Sequence, residues 1–249
     1  MRLILFISLF LFASLASAAQ QSAAKLLEQS KQLVVVFTPN WQSVNGKLQL
    51  YQRARPASAW VAIGNPLPVV VGRKGLGWGV ELAKNKWPGP VKKEGDERSP
   101  VGVFGLGPVF GYESYPSTPI KLDYFPLTET SVCVDDEKSH YYNQVLDSSK
   151  IQKPDWSSGE QMRQVPLYNW GSVIQYNSEA AVSGAGSCIF LHIWRGIDRG
   201  TAGCVAMDET QLVKLLATLD PDQKPLVVLL SEPAYQLIKK EWDLPQLGD

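Results

Sequence analysis

The 249 residues contain only two histidines and three cysteines, and one of each stands close together: His192 in "FLHIW" and Cys204 in "GTAGCVAM", twelve positions on. A thiol and an imidazole can act as nucleophile and base in acyl transfer if backbone donors hold the developing oxyanion and the local shape presents the sulfur. Glycines at 196, 200 and 203 tighten the intervening loop so that it can double back. Gly203 also removes the side chain just before the sulfur, so that the N–H groups of Gly203 and Cys204 can approach a substrate carbonyl. The same residues are open to a plainer role, a buried thiol filling a small hole and a structural histidine on a strand.

The elements that must hold these residues read as mainly β. "LVVVFT", "KLQLYQRA", "SAWVAIG", "PLPVVVG", "VGVFGLG", "SVIQYN" and "SCIFLHIW" are short, rich in Val, Ile and aromatics, and bounded by Gly, Pro, Asn and Ser. They predict a mainly antiparallel sandwich or barrel. In the last of them Cys188, Phe190 and His192 are expected to share one face of a strand. "GRKGLGWG" (Gly72 to Gly79) reads as a hairpin and not as a phosphate loop. The polar connections Tyr112 to Leu122 and Ser148 to Arg163 are long enough to suggest functional or wall-forming loops.

Helical spacing follows the cysteine, with Leu212, Leu215, Leu216 and Leu219 at i, i+3, i+4, i+7 and Asp208 with Gln211 as a capping start. Peripheral helices are also expected at "AAKLLEQSKQ" and "PAYQLIKKEW", with "PLVVLL" as a last buried strand. No internal repeat or low-complexity tract is visible.

Composition narrows the function classes. Hydrophobic residues make up 45% of the chain, and 24 basic side chains balance 24 acidic ones. There is no bulk charge or basic stripe to attract nucleic acid or anionic lipid. "MRLILFISLFLFASLASA" carries one basic residue, an apolar run from Leu3 to Ala13, and small residues at Ala16 and Ala18. It reads as a secretory signal peptide over 1–18, leaving a soluble protein in the periplasm or cell envelope. A helix or linker over 19–32, one domain over 33–230 and a helical tail over 231–249 complete the expected organisation.

The pair "FLHIW" and "GTAGCVAM" resembles the H…[S/T]-H-G-C signature of the L,D-transpeptidase catalytic domain, the YkuD-type fold. The upstream "KKEGDERSPVGVFGLG" (Lys92 to Gly107) is similar to that family's approach to [S/T]-P-x-G-x-F. The two blocks occur in the family's order. This chain departs from the pattern at Ala202, where the family usually has histidine, and at Ala206, where Arg or Asn is usual; its His-to-Cys loop is also short.

The resemblance implies an L,D-transpeptidase-like β-sandwich or barrel with a few peripheral helices, one directly after the cysteine, in an exported enzyme acting on peptidoglycan stem peptides. Cys204 would attack the carbonyl between meso-diaminopimelate and D-alanine and pass the acyl group to an amine-bearing acceptor or to water. His192 would be the base, the Ile193 carbonyl its orienter, and Gly203 and Cys204 part of the oxyanion hole. The same dyad would also serve an L,D-carboxypeptidase, and the same fold a non-catalytic wall-binding protein.

Other polar groups are candidates for substrate binding. Arg195 could pair with a substrate carboxylate or be a solvated loop charge. Tyr176 could lend a third oxyanion donor, form a wall, or be an interior aromatic. Thr201 lies within the motif itself. No cofactor is expected. The two histidines are fifty-two positions apart with no C-x-x-C, so no metal is expected either, and "CVDDEKSH" (Cys133 to His140) is the one fallback site. If Cys204 must stay a thiol, only Cys133 and Cys188 remain to pair in an oxidising compartment, closing a loop of fifty-five positions; a simply buried Cys188 is the alternative. Oligomeric state is not readable.

Overall fold

A computed structural model describes residues 18–247. The expected leader, apart from Ala18, lies outside the described residues. In chain order the elements are α1 (Ala18–Gln29), β1 (Gln32–Thr38), β2 (Asn45–Gln52), β3 (Val61–Val70), β4 (Leu76–Trp78), β5 (Ser99–Gly111), β6 (Tyr124–Pro126), β7 (Ser131–Cys133), β8 (Val145–Asp147), β9 (Glu160–Gln161), β10 (Trp170–Ile174), β11 (Phe190–Ile193), β12 (Val205–Met207), α2 (Glu209–Thr218), β13 (Leu226–Ser231) and α3 (Glu232–Ile238).

Eight strands hydrogen-bond in the order β10-β11-β12-β3-β2-β1-β13-β5, and β5 pairs again with β10, so the path closes on itself. β4 and β6 are appended to β5, and β8-β7-β9 form a separate small sheet. Among the described residues the fold is mainly β with three helices, and it is mainly antiparallel, as expected, with four parallel pairs, β1–β13, β11–β12, β4–β5 and β5–β6.

The parallel pairs account for the continuous apolar runs. β1 is buried at six of its seven residues and β13 at all six, since both faces of this pair are covered. α3 packs on β13, α2 on β10 and β11, and α1 on β5. The two strands expected at "SAWVAIG" and "PLPVVVG" are one strand, β3. Pro66 and Pro68 fit because β12 pairs only with Val69 and Val70; the stretch before them is bonded to β2 alone, and a missing N–H on the open side breaks no ladder.

"GRKGLGWG" is not a hairpin. Its turn leads into β4, which runs parallel to Ser99–Val101. Gly75 is held at φ +79, and a Cβ there would stand 2.1 Å from the Trp41 carbonyl oxygen. β12 is interposed between Cys204 and α2, and α2 is capped by Asp208, whose carboxylate accepts from Gln211 N–H at 3.2 Å.

Candidate active site

The register of β11 and β12 brings the two candidate residues together. These strands are parallel, with Leu191 opposite Val205 and His192 opposite Ala206. Extending that register by one step sets Phe190 level with Cys204. Side chains alternate along a strand, so His192 and Cys204 share one face, two steps apart diagonally. The Phe190 N–H donates to the Cys204 sulfur at 3.3 Å, and the thiol donates to the Cys188 carbonyl at 3.4 Å. Both side chains line one cavity of about 510 Å³, a size suited to a small ligand.

His192 Nδ1 lies 2.7 Å from the Ile193 carbonyl oxygen. A carbonyl only accepts, so Nδ1 carries the proton and Nε2 keeps its lone pair. Ile193 therefore sits where an orienting acceptor is expected.

The turn before the sulfur is tied by Thr201. Its hydroxyl donates to the Cys204 carbonyl at 2.6 Å and accepts from the Gly203 N–H at 3.1 Å. Ser99 Oγ gives the same carbonyl a second bond at 3.0 Å. Thr201 thus shapes the turn while lining the cavity, and the Gly203 N–H, expected to face a substrate, is engaged at rest. A Cβ on residue 203 would come within 3.2 Å of both the Arg98 carbonyl oxygen and Ile189 Cδ1, so glycine is needed for close packing.

Burial dominates the electrostatics. Cys204 is 7% and His192 6% exposed. Burial pushes the Cys204 thiol up to about 12, helped by the Glu160 charge and opposed by the Phe190 N–H, the Tyr168 hydroxyl and the Lys92 ammonium. Burial brings His192 down to about 4; its bond to Ile193 resists, and the Arg195 charge adds to the fall. Each group is driven toward its neutral form.

Other expectations meet mixed outcomes. Arg195 lines the cavity with an exposed side chain. Tyr176 does not line it. Its ring packs edge-on against Phe104, its hydroxyl donates to the Ala185 carbonyl at 2.6 Å and accepts from the Val80 N–H at 3.4 Å, so it is an interior aromatic. Cys133 and Cys188 are joined by a disulfide, with Cα atoms 6.0 Å apart. Cys188 does not continue the β11 face toward His192, because it precedes the strand and adopts a left-handed φ of 54°. The fallback cluster does not converge either: Cys133 is in the bridge, and His140 Nδ1 lies 2.6 Å from Asp155.

Three further groups enter the cavity, two of them from segments with no motif. Lys92 is buried, donating to Asp96 Oδ1 at 2.7 Å and to the Lys93 carbonyl at 2.6 Å. Glu160, on β9, accepts from the Tyr168 hydroxyl at 2.8 Å. Tyr168 meets the His192 ring edge-on, 5.1 Å between centroids. The only sequence signal for Glu160 is the length of its loop, Ser148 to Arg163. Tyr168 carries none, and Lys92 only opens the stretch Lys92 to Gly107 that is similar to the family's.

A family model for the YkuD L,D-transpeptidase catalytic domain matches residues 43–228. That span runs from the β1–β2 connection into β13 and contains every cavity-lining group described above. Neither the curated proteins nor the solved structures yielded a match.

Proposed function

Because this chain belongs to the L,D-transpeptidase catalytic domain family, we propose that it is a cell-wall cysteine acyltransferase acting on peptidoglycan stem peptides, with Cys204 as nucleophile and His192 as base. The observation that carries this reading is the shared face of β11 and β12, which holds a thiol and a correctly tautomeric imidazole in one cavity.

The thiol is neutral at rest, so attack and deprotonation go together. As Sγ bonds to the peptide carbonyl carbon, its proton passes to His192 Nε2, and the carbonyl oxygen becomes an anion held by the Cys204 N–H. Collapse breaks the C–N bond; the departing amine takes the proton from His192 and leaves a thioester on Cys204. An acceptor amine, or water, then attacks that carbonyl while His192 takes its proton, and the thiol is restored as the new bond forms. Arg195, at the cavity edge, would pair with a peptide carboxylate.

We place the mature protein outside the cytosol, with 1–18 removed as a leader. Incubation with defined muropeptides tests the reaction: crosslinked or exchanged products are expected from the wild type and none from Cys204→Ala, while His192→Ala should slow acylation on the order of 10²-fold or more. Trimmed peptides without exchange would make the protein an L,D-carboxypeptidase. Failure of the folded wild type to form any thioester, read by intact mass after incubation with donor peptide or a carbapenem, would leave only a wall-binding role.

A further inference from the structure

Beside the Cys204 sulfur lies a pair of side chains that the steps above do not use. Tyr168 closes a short 3-10 turn (Pro166–Tyr168) and is 4% exposed, packed with Phe110, Phe190 and Cys204 in one apolar cluster. Its hydroxyl has two polar neighbours, Glu160 Oε2 at 2.8 Å and the Cys204 sulfur. A phenol has one proton. Donated to Glu160, that proton is not available to the sulfur.

We propose that Glu160 is a positioning residue for the reacting sulfur, acting through Tyr168: with its carboxyl protonated it donates to Tyr168 Oη and turns the phenolic proton onto Cys204, and when ionised it keeps the phenolic proton for itself. The phenolic proton stays on Tyr168 Oη throughout. Taking up or releasing the one carboxyl proton to solvent reverses the Glu160–Tyr168 hydrogen bond and makes or breaks the one from Tyr168 to the sulfur. The sulfur anion formed as His192 takes the thiol proton would then have two donors, the Phe190 N–H and the Tyr168 hydroxyl, in place of one.

The surroundings of Glu160 favour the protonated state. Burial raises its carboxyl above the ordinary range, and the Asp135 charge adds to this against the Tyr168 bond. β7, its strand partner, offers no titrating group, since Cys133 is in the disulfide. On the adjoining turn, Arg163 is turned away, stacked over Tyr112 at 3.7 Å. On the far side of Tyr168 stand His192 and Cys204, and the Lys92 ammonium lines the same cavity, held by Asp96 Oδ1 at 2.7 Å.

This inference rests on Cys204 being the nucleophile, and the test separates the two. The rate of Cys204 acylation by a carbapenem is followed by intact mass from pH 4 to 9 for wild type, Glu160→Gln and Tyr168→Phe. Taking ratios cancels the titration of His192, while the direct repulsion of the sulfur anion by the Glu160 charge is present in Tyr168→Phe as in wild type. The relay is therefore read from both variants together, and a flat Tyr168→Phe ratio overturns it. A neutral amide cannot outcompete a sulfur anion for the phenolic proton, so Glu160→Gln imitates the protonated carboxyl. Its rate relative to wild type should be near one at low pH, climb about tenfold per pH unit once Glu160 ionises, and level off on the order of 10². Tyr168→Phe should mirror this, slow by a similar factor at low pH and converging on wild type at high pH; it carries the test alone if Glu160→Gln does not fold. A ratio that stays flat with pH for the folded variants overturns the inference and leaves the nucleophile standing. Absence of acylation in wild type overturns both.

Discussion

At rest the sulfur of Cys204 and the imidazole of His192 are both uncharged, for one cause with opposite signs. Burial penalises the charged form, which is the deprotonated one for the thiol and the protonated one for the imidazole. A raised thiol near 12 and a lowered imidazole near 4 leave no stable thiolate–imidazolium pair at neutral pH. Iodoacetamide alkylation of the free Glu160→Gln enzyme, in which the Glu160 ionisation is removed, is followed by mass and should therefore be slow at pH 7 and rise about tenfold per pH unit through pH 9 without a plateau. A plateau reached near neutrality would reveal a preformed thiolate and contradict this account. The identities of the two residues are legible in the sequence because a motif records type and order. The state of their neighbours is not: one Thr201 hydroxyl decides that the Gly203 N–H is engaged, and nothing in "GTAGCVAM" gives the direction of that hydroxyl.

At the scale of elements, the Cys133–Cys188 bridge joins the small sheet carrying Glu160 to the segment entering β11. Cys133 pairs with Glu160 across β7 and β9, and Cys188 lies two residues before β11 and supplies the carbonyl that accepts the thiol's hydrogen bond. Closing fifty-five positions restricts the unfolded chain by about 4 kcal/mol on chain-entropy reasoning. Replacing both cysteines by alanine should lower the unfolding free energy by an amount of that order, read by urea titration, and should slow Cys204 acylation because the wall bearing Glu160 is no longer tied. Unchanged stability and rate would show the bridge to be idle. Which strands exist is largely visible in apolar runs and turn residues. Which are parallel is not, because parallel order depends on where the chain returns: β12 is three residues long and gains its place only by lying between β11 and β3.

At the scale of the whole molecule, α1 belongs to the fold even though it precedes the span matched by the family model. Ala23 and Leu27 are buried. The Arg53 guanidinium, stacked over Trp60 at 4.1 Å, donates to the carbonyls of Leu27, Glu28 and Ser30 at the helix end. Among the described residues no helix is long and apolar enough to cross a membrane. A chain starting at Ala19, the expected mature terminus, should keep the melting temperature of protein isolated from the envelope, whose N-terminal sequence should begin near that residue. A chain starting at Ser30 should lose at least about 3 kcal/mol, because a buried guanidinium is stripped of two charge-assisted acceptors. Equal stability of the two truncated forms in urea would show α1 to be dispensable.

Type, order and periodicity are local quantities, and they suffice for the mainly β class, the leucine face and cap of α2, the family and the two residues on which its chemistry is proposed to rest. They suffice because hydrophobic alternation, capping and the glycine-bounded turn before Cys204 each leave their mark within a few residues. The closure of the strand path through β5 and β10, the burial that neutralises Cys204 and His192, the interior fate of Tyr176 and the meeting of Glu160, Tyr168 and the sulfur were decided only in three dimensions. Those depend on distance and dielectric between segments far apart in the chain. Glu160 and Cys204 are forty-four positions apart, and only the folded barrel makes them neighbours.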